Sequence, residues 1–218
     1  MGAAALAACL SCTLVLTGCV DQHPERAARE DGTYEPRIVA TSPAVAEICD
    51  KLDLDLVGVP TTSRGLPERY ADLDQVGTAM APDLEILKSL RPDYVLSPNS
   101  LQSDLQPKYA SAMMASVFLN LRSVQGMYDS ISYLGEKFGR EEQAQALVSE
   151  YTQFIEEYRA QNEGKEAPTV LILMGVPGSY VVATPNSYVG SLVELAGGQN
   201  VYADSEEEFI NVNTEDMQ

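Results

Sequence analysis

REEQAQALVSEYTQFIEEYRAQNEGK, residues 140–165, is the stretch whose reading decides the fold. Its apolar residues Ala144, Leu147, Val148, Tyr151, Phe154, Ile155 and Tyr158 recur at steps of three and four, which lines them along one stripe of an α-helix. Gly139 can end the helix before it, and Asn162, Gly164 and Pro168 can end this one. About 24 residues at ~1.5 Å each make a rod of roughly 36 Å, close to a domain diameter. On both sides short strands alternate with helices, so the rod reads as a rigid tether between two α/β lobes with a cleft between them.

On the N-terminal side the alternation is regular. Residues 38–41 read as a β-branched strand, Ser42 as an N-cap, Pro43 as a first helical residue, and 44–52 as a helix. Further strands are expected at 56–59, 94–97 and 117–121, and helices at 82–90, 107–114 and from the Ser123 cap to 138. Beyond the rod, 169–174 is the continuous apolar run of a buried parallel strand, and Gly175, Pro177 and Gly178 make a turn. A strand at 180–183, a helix at 188–196 stopped by Gly197, and a helix opening at Thr214 complete the pattern. A largely parallel sheet with helices on both faces is expected, with lobes at 37–139 and 168–218 and the linking helix at 140–167. The second lobe has half the length of the first and reads as truncated.

The first 18 residues carry no charge and lead into Leu16-Thr17-Gly18-Cys19, a secretory apolar region followed by a lipobox-like cleavage site. Cleavage would leave Cys19 as a lipidated N-terminus and 19–36 as a flexible polar spacer on the outer face of the cell membrane. A transmembrane helix is the competing reading, but the apolar run barely reaches spanning length and stops at Asp21. No Lys or Arg precedes the run, a departure from the usual leader. Of four cysteines only Cys49 remains in the folded part, which excludes a disulfide framework and suggests a small core residue. Net charge is −18, with 13 acids and 9 bases in 37–139 but 14 acids and 3 bases in 140–218. Such a surface repels nucleic acid.

Three segments, IVATSPAVAEICDKLDLDLVGVPTTSRGLPERY (38–70), VGTAMAPDLEILKSLRPDYVLS (76–97) and VLILMGVPGSYVVATPNSYVGSLVELAGGQNV (170–201), resemble the haem-receptor lipoproteins of the iron-regulated surface determinant (Isd) system. These lie within the long-helix-linked class of ABC-transporter substrate-binding proteins, the helical-backbone periplasmic-binding-protein-like α/β fold. The resemblance implies a monomeric, non-enzymatic receptor that holds haem between its lobes, accepts it from haem-donor surface proteins and delivers it to a membrane permease. It also implies that Met80, in GTAMAP, is an axial iron ligand; a thioether is a soft neutral ligand suited to haem iron. From the residues alone Met80 would be a loop or packing residue. The family's second ligand, a histidine, has no match: the single histidine, His23, lies in the spacer, and the matching position falls beyond Gln218. Tyr180 and Tyr188 offer phenols in principle, with packing as their other role.

For the haem propionates the resemblance points to the helix N-terminus at Ser42, Pro43, Ala44 and Val45, where Ala44 and Val45 would donate amides because Pro43 has none. Arg64 stands where the family has a lysine, and Ser63 where it has a tyrosine. Strand ends at a crevice are where such sheets place ligands, so Val176 is expected to give an apolar haem contact. Glu85 and Glu215 match acids that meet permease arginines. A siderophore or corrinoid receptor of the same fold is the nearest alternative; a siderophore site would use several cations and aromatics, whereas Trp is absent. A two-lobed α/β enzyme is disfavoured, because without a histidine in the folded part no nucleophile–base pair can be assembled, and no Gly-rich phosphate loop follows a strand. Replacing Cys19 with Ala is expected to release the protein from the membrane fraction or block its processing; unchanged membrane partition would reject the anchor.

Overall fold

The computed structural model describes residues 35–176 and 179–212. In chain order these form β1 (Ile38–Ala40), α1 (Pro43–Lys51), β2 (Leu56–Gly58), the short pair β3 (Gly77–Thr78) and β4 (Ala81–Pro82), α2 (Leu84–Leu90), β5 (Tyr94–Pro98), α3 (Gln102–Ser111), β6 (Ser116–Leu119), α4 (Val124–Phe138), α5 (Glu141–Asn162), β7 (Thr169–Val170), β8 (Leu173–Val176), β9 (Ser179–Ala183), α6 (Tyr188–Leu195), β10 (Gln199–Asn200) and β11 (Phe209–Val212). Leader residues 1–18, Cys19, His23, the turn residues Pro177 and Gly178, the helix expected from Thr214, and Glu215 lie outside the described residues.

The N-terminal part is a four-stranded parallel sheet in the order β2-β1-β5-β6. Ile38, Val39 and Ala40 are all buried, as a strand covered on both faces requires. Alternation sorts them: Ile38, Ala40 and Leu96 enter one apolar layer with α1, α4 and α5, while Val39 and Val95 enter the other with α2 and α3. Ser42 and Ser123 cap α1 and α4 as their positions suggest, accepting from Val45 N at 3.3 Å and Gly126 N at 3.0 Å. Cys49 is fully buried in the first layer, and burial pushes its thiol up to about 12, so it stays neutral and inert.

Some boundaries differ from expectation. α3 starts at Gln102 rather than 107, so Pro107 lies inside it and removes an amide donor to the helix. Fully buried Leu105 and Tyr109 on either side of Pro107 hold the helix against that loss. The 169–174 run is not one buried parallel strand. Thr169–Val170 pairs parallel with Gln199–Asn200, and the chain then changes partner, so that Leu173–Val176 pairs antiparallel with Ser179–Ala183. β8 is therefore an edge strand of the antiparallel sheet β11-β9-β8, and Leu171, Leu173 and Met174 are exposed. The four-stranded sheet before α5 is parallel as expected; after α5 only the short β7–β10 pair is parallel, and β11-β9-β8 is antiparallel. Gly175 belongs to β8 rather than to a turn.

α5 has 22 residues, about 33 Å of helix. Its first half packs on the core, with Ala144 and Leu147 buried and Val148 and Tyr151 bordering them, whereas Phe154 is 65% exposed. The close partner is α4, which reverses into α5 through Gly139 at φ +65°. A methyl group on Gly135 would meet Ala144 Cβ at 2.5 Å and the Arg140 carbonyl at 3.0 Å. Gly135→Ala should therefore lower stability by about 1–3 kcal/mol through overpacking, against the ~1 kcal/mol that Ala contributes to an isolated helix. Urea unfolding would read this as a lower midpoint with unchanged slope, and a raised midpoint would refute the close approach.

Candidate functional site

Parallel strands present their C-terminal ends along one edge of the sheet, and ligand crevices form there in open α/β sheets. Beneath that edge lies a fully buried polar chain. Thr41 N and Oγ1 both donate to the Leu96 carbonyl, Thr41 Oγ1 pairs with Ser97 Oγ at 2.8 Å, and Ser97 Oγ pairs with the Tyr109 hydroxyl at 3.2 Å. Burial raises the Tyr109 pKa, while its hydrogen bonds to Ser97 and Thr41 pull the other way. These bonds tie β1, β5 and α3 together immediately before Ser42.

At the N-terminus of α1 the amides are not all available. Val45 N is taken by Ser42 Oγ, Ala46 N by the Ser42 carbonyl, and Val45 itself is fully buried. Val45 is thus not the free donor that the sequence suggested, because the cap that starts the helix consumes its N–H. Pro43 has no N–H, and Ala44 is the exposed residue of the first turn. Among the described hydrogen bonds none uses the Ala44 amide.

The loop after the next strand carries Arg64, and the hairpin bonded to the start of that loop carries Met80. Thr61 N donates to the Gly77 carbonyl at 2.8 Å, joining the loop after β2 to the β3–β4 hairpin. Gly77 has φ +91°, and a Cβ there would meet the Ala81 carbonyl at 2.7 Å, so the tight hairpin needs glycine. Ala79 and Met80 form its two-residue tip, and Met80 is 75% exposed. A packing role for Met80 is thereby removed. Arg64 is exposed, its amide held by Thr62 Oγ1 at 3.0 Å, and among the described residues it has no acidic partner.

Glu85 lies in the first turn of α2, exposed and paired with Lys88 Nζ at 2.8 Å, while Asp83 caps the helix by accepting from Glu85 N and Ile86 N. Val176 ends β8, its backbone paired with Ser179. Ser42, Pro43 and Ala44 thus follow β1, Arg64 lies in the loop after β2, Met80 lies in the hairpin bonded to that loop, and Glu85 is exposed on α2.

One feature has no counterpart in the sequence reading. A mainly apolar cavity of about 530 Å³ opens between α1, α4, α5 and α6, with Ala44, Ile48, Met127, Tyr151, Phe154 and Tyr188 in its wall. Tyr188 packs there, its hydroxyl 3.9 Å from Met127 Sδ, and Tyr128 stacks on Tyr151 with centroids 6.2 Å apart. Tyr180 lies on β9, exposed. The apolar stripes of α4 and α5 were legible in the sequence; that they and α6 would enclose a space was not.

Comparison with known proteins identifies the family. Residues 38–218 match the periplasmic binding protein family. The high-affinity heme uptake system protein IsdE of Staphylococcus aureus strain Newman is 41% identical over 207 residues, covering 94% of this chain and 69% of that protein. Among solved structures, an ABC transporter substrate-binding protein from Listeria monocytogenes EGD-e superposes with TM-score 0.80 at 48% identity, over 84% of this chain and 71% of that one. S. aureus IsdE complexed with heme superposes with TM-score 0.77 at 42% identity, over 83% and 70% of the two chains. These relatives are substrate-binding and uptake proteins, not enzymes. With nearly all of its described residues inside the match, the chain belongs to the periplasmic binding protein family.

Proposed function

We propose that this protein is a haem receptor, anchored to the outer face of the cell membrane through a lipid on Cys19, that delivers haem to an ABC-transporter permease. In this reading the lobes are 37–139 and 168–218, the helix 140–167 joins them, and haem lies along the strand-end edge of the first. The observation that carries the reading is Met80: an apolar side chain 75% exposed at the tip of a hairpin that glycine geometry holds tight, beside a cationic loop. Exposure without packing is what a soft iron ligand needs and what a core residue lacks. The Ala44 amide at the positive end of α1 and the Arg64 guanidinium supply donors for two carboxylates. Val176 contributes apolar contact. The identity to a heme uptake protein supports haem as the cargo.

Glu85 fits a docking role. Its charge is outward on the same part of the molecule, and a permease arginine would compete with Lys88 for it. Glu215 is its proposed counterpart in the second lobe. Haem-donor surface proteins are the proposed source of cargo, and the receptor acts as a monomer.

Two measurements test this. In haemin titrations followed at the Soret band, Met80→Ala should weaken binding at least about tenfold, or ~1.4 kcal/mol, while leaving the urea midpoint unchanged because the side chain is exposed. Equal affinity would remove Met80 as a ligand, and absence of any Soret change in the parent protein would return the siderophore or corrinoid reading to first place. Glu85→Arg should leave haem binding intact and impair cellular haem uptake, since a charge facing cationic permease residues would become repulsive. Uptake equal to the parent would sink the docking assignment.

A further inference from the structure

At the opposite end of the strand-end edge from Met80 a second construction appears. β6 is the far strand of the sheet, three strand spacings or about 14 Å from β2. The loop that leaves it carries Arg122, whose Nε donates to Glu208 Oε2 at 2.6 Å, with the second guanidinium nitrogen on the same carboxylate oxygen. Glu208 precedes β11, so the ion pair joins the part of the chain before α5 to the part after it. A second link runs parallel to it: the Val124 amide, in the first turn of α4, donates to Ser191 Oγ of α6 at 3.3 Å.

Both ends of the pair are held before they meet. Asn120 Oδ1 accepts from Arg122 N at 3.3 Å and from Asn99 Nδ2 at 3.1 Å, and Asn120 N donates to Ser130 Oγ at 2.9 Å. A Cβ on Gly126 would come within 2.5 Å of Asn120 Nδ2, so α4 also presses on this loop. On the other side the Glu208 carbonyl accepts from Thr184 N at 3.1 Å and Thr184 Oγ1 at 3.2 Å, and Thr184 is fully buried. The Glu208 side chain is only 20% exposed. Ordinary surface pairs lose most of their attraction to side-chain entropy and solvent screening; here the backbone entropy is already spent and one partner is largely shielded.

We propose that Arg122–Glu208 is a latch between the two parts of the molecule, setting their spacing along the β6 side. Charge attraction and one hydroxyl contact give a bias rather than a lock. The inference concerns the ligand-free chain and stands or falls independently of haem.

The test is a spin-label distance distribution between Lys108→Cys and Asp204→Cys, both exposed, in the full chain with Cys9, Cys12 and Cys19 replaced by Ser and Cys49 left buried. Arg122→Gln and Glu208→Gln should each reduce the short-distance population about two- to fivefold, as should 1 M salt in the parent. The charge-swapped pair Arg122→Glu with Glu208→Arg should restore it. Unchanged urea midpoints and circular dichroism would separate loosening of the latch from loss of fold. Distributions that do not move in either single variant, or that the swap fails to restore, would overturn the latch.

Discussion

The constraint on which the rest of the molecule depends is that parallel strands can be joined only by crossovers over the faces of their sheet. In β2-β1-β5-β6 each connection therefore leaves from the same edge. Ser42 follows β1, the Thr61–Gly77 junction follows β2, Asn99 follows β5 and Asn120 to Arg122 follow β6. Residues far apart in the chain become neighbours on one rim, and the buried Thr41–Ser97–Tyr109 hydrogen bonds keep that rim in register. A loop carried on such an edge can be exposed without being loose.

The rim is not uniform. Its β1–β2 end offers an amide, a guanidinium and a thioether with few competing partners, whereas its β6 end is occupied by side chains already bonded to one another and to the C-terminal part. The long helix α5 contributes differently. It is anchored through the Gly135–Ala144 contact with α4, and its later turns meet the C-terminal part through Arg159 Nε and the Leu195 carbonyl at 3.1 Å.

Much of this was legible in the sequence because it is local. The spacing of Ala144, Leu147, Val148 and Tyr151 gives a helix whatever surrounds it, Ser42 and Ser123 stand where a cap must stand, and Ile38-Val39-Ala40 admits little but a covered strand. The resemblance brought Met80, Arg64 and Glu85 forward, and no periodicity would have done so. What stayed hidden depends on partners distant in the chain. Residues 170–176 carry no polar side chain, and apolarity does not say that Thr169–Val170 pairs with Gln199–Asn200 and Leu173–Val176 with Ser179–Ala183.

By itself, then, the sequence determined the α/β pattern, the central strands, the helix caps and the long α5, since each follows from hydrophobic period and capping chemistry within a few residues. Only the tertiary structure decided that the Val45 amide is spent on its own cap, that Met80 projects from a hairpin tip, that the stripes of α4, α5 and α6 enclose a cavity, and that Arg122 meets Glu208 across 86 positions. Exposure and pairing are properties of a residue's surroundings in space, and those are set by the sheet order and not by the neighbours in sequence.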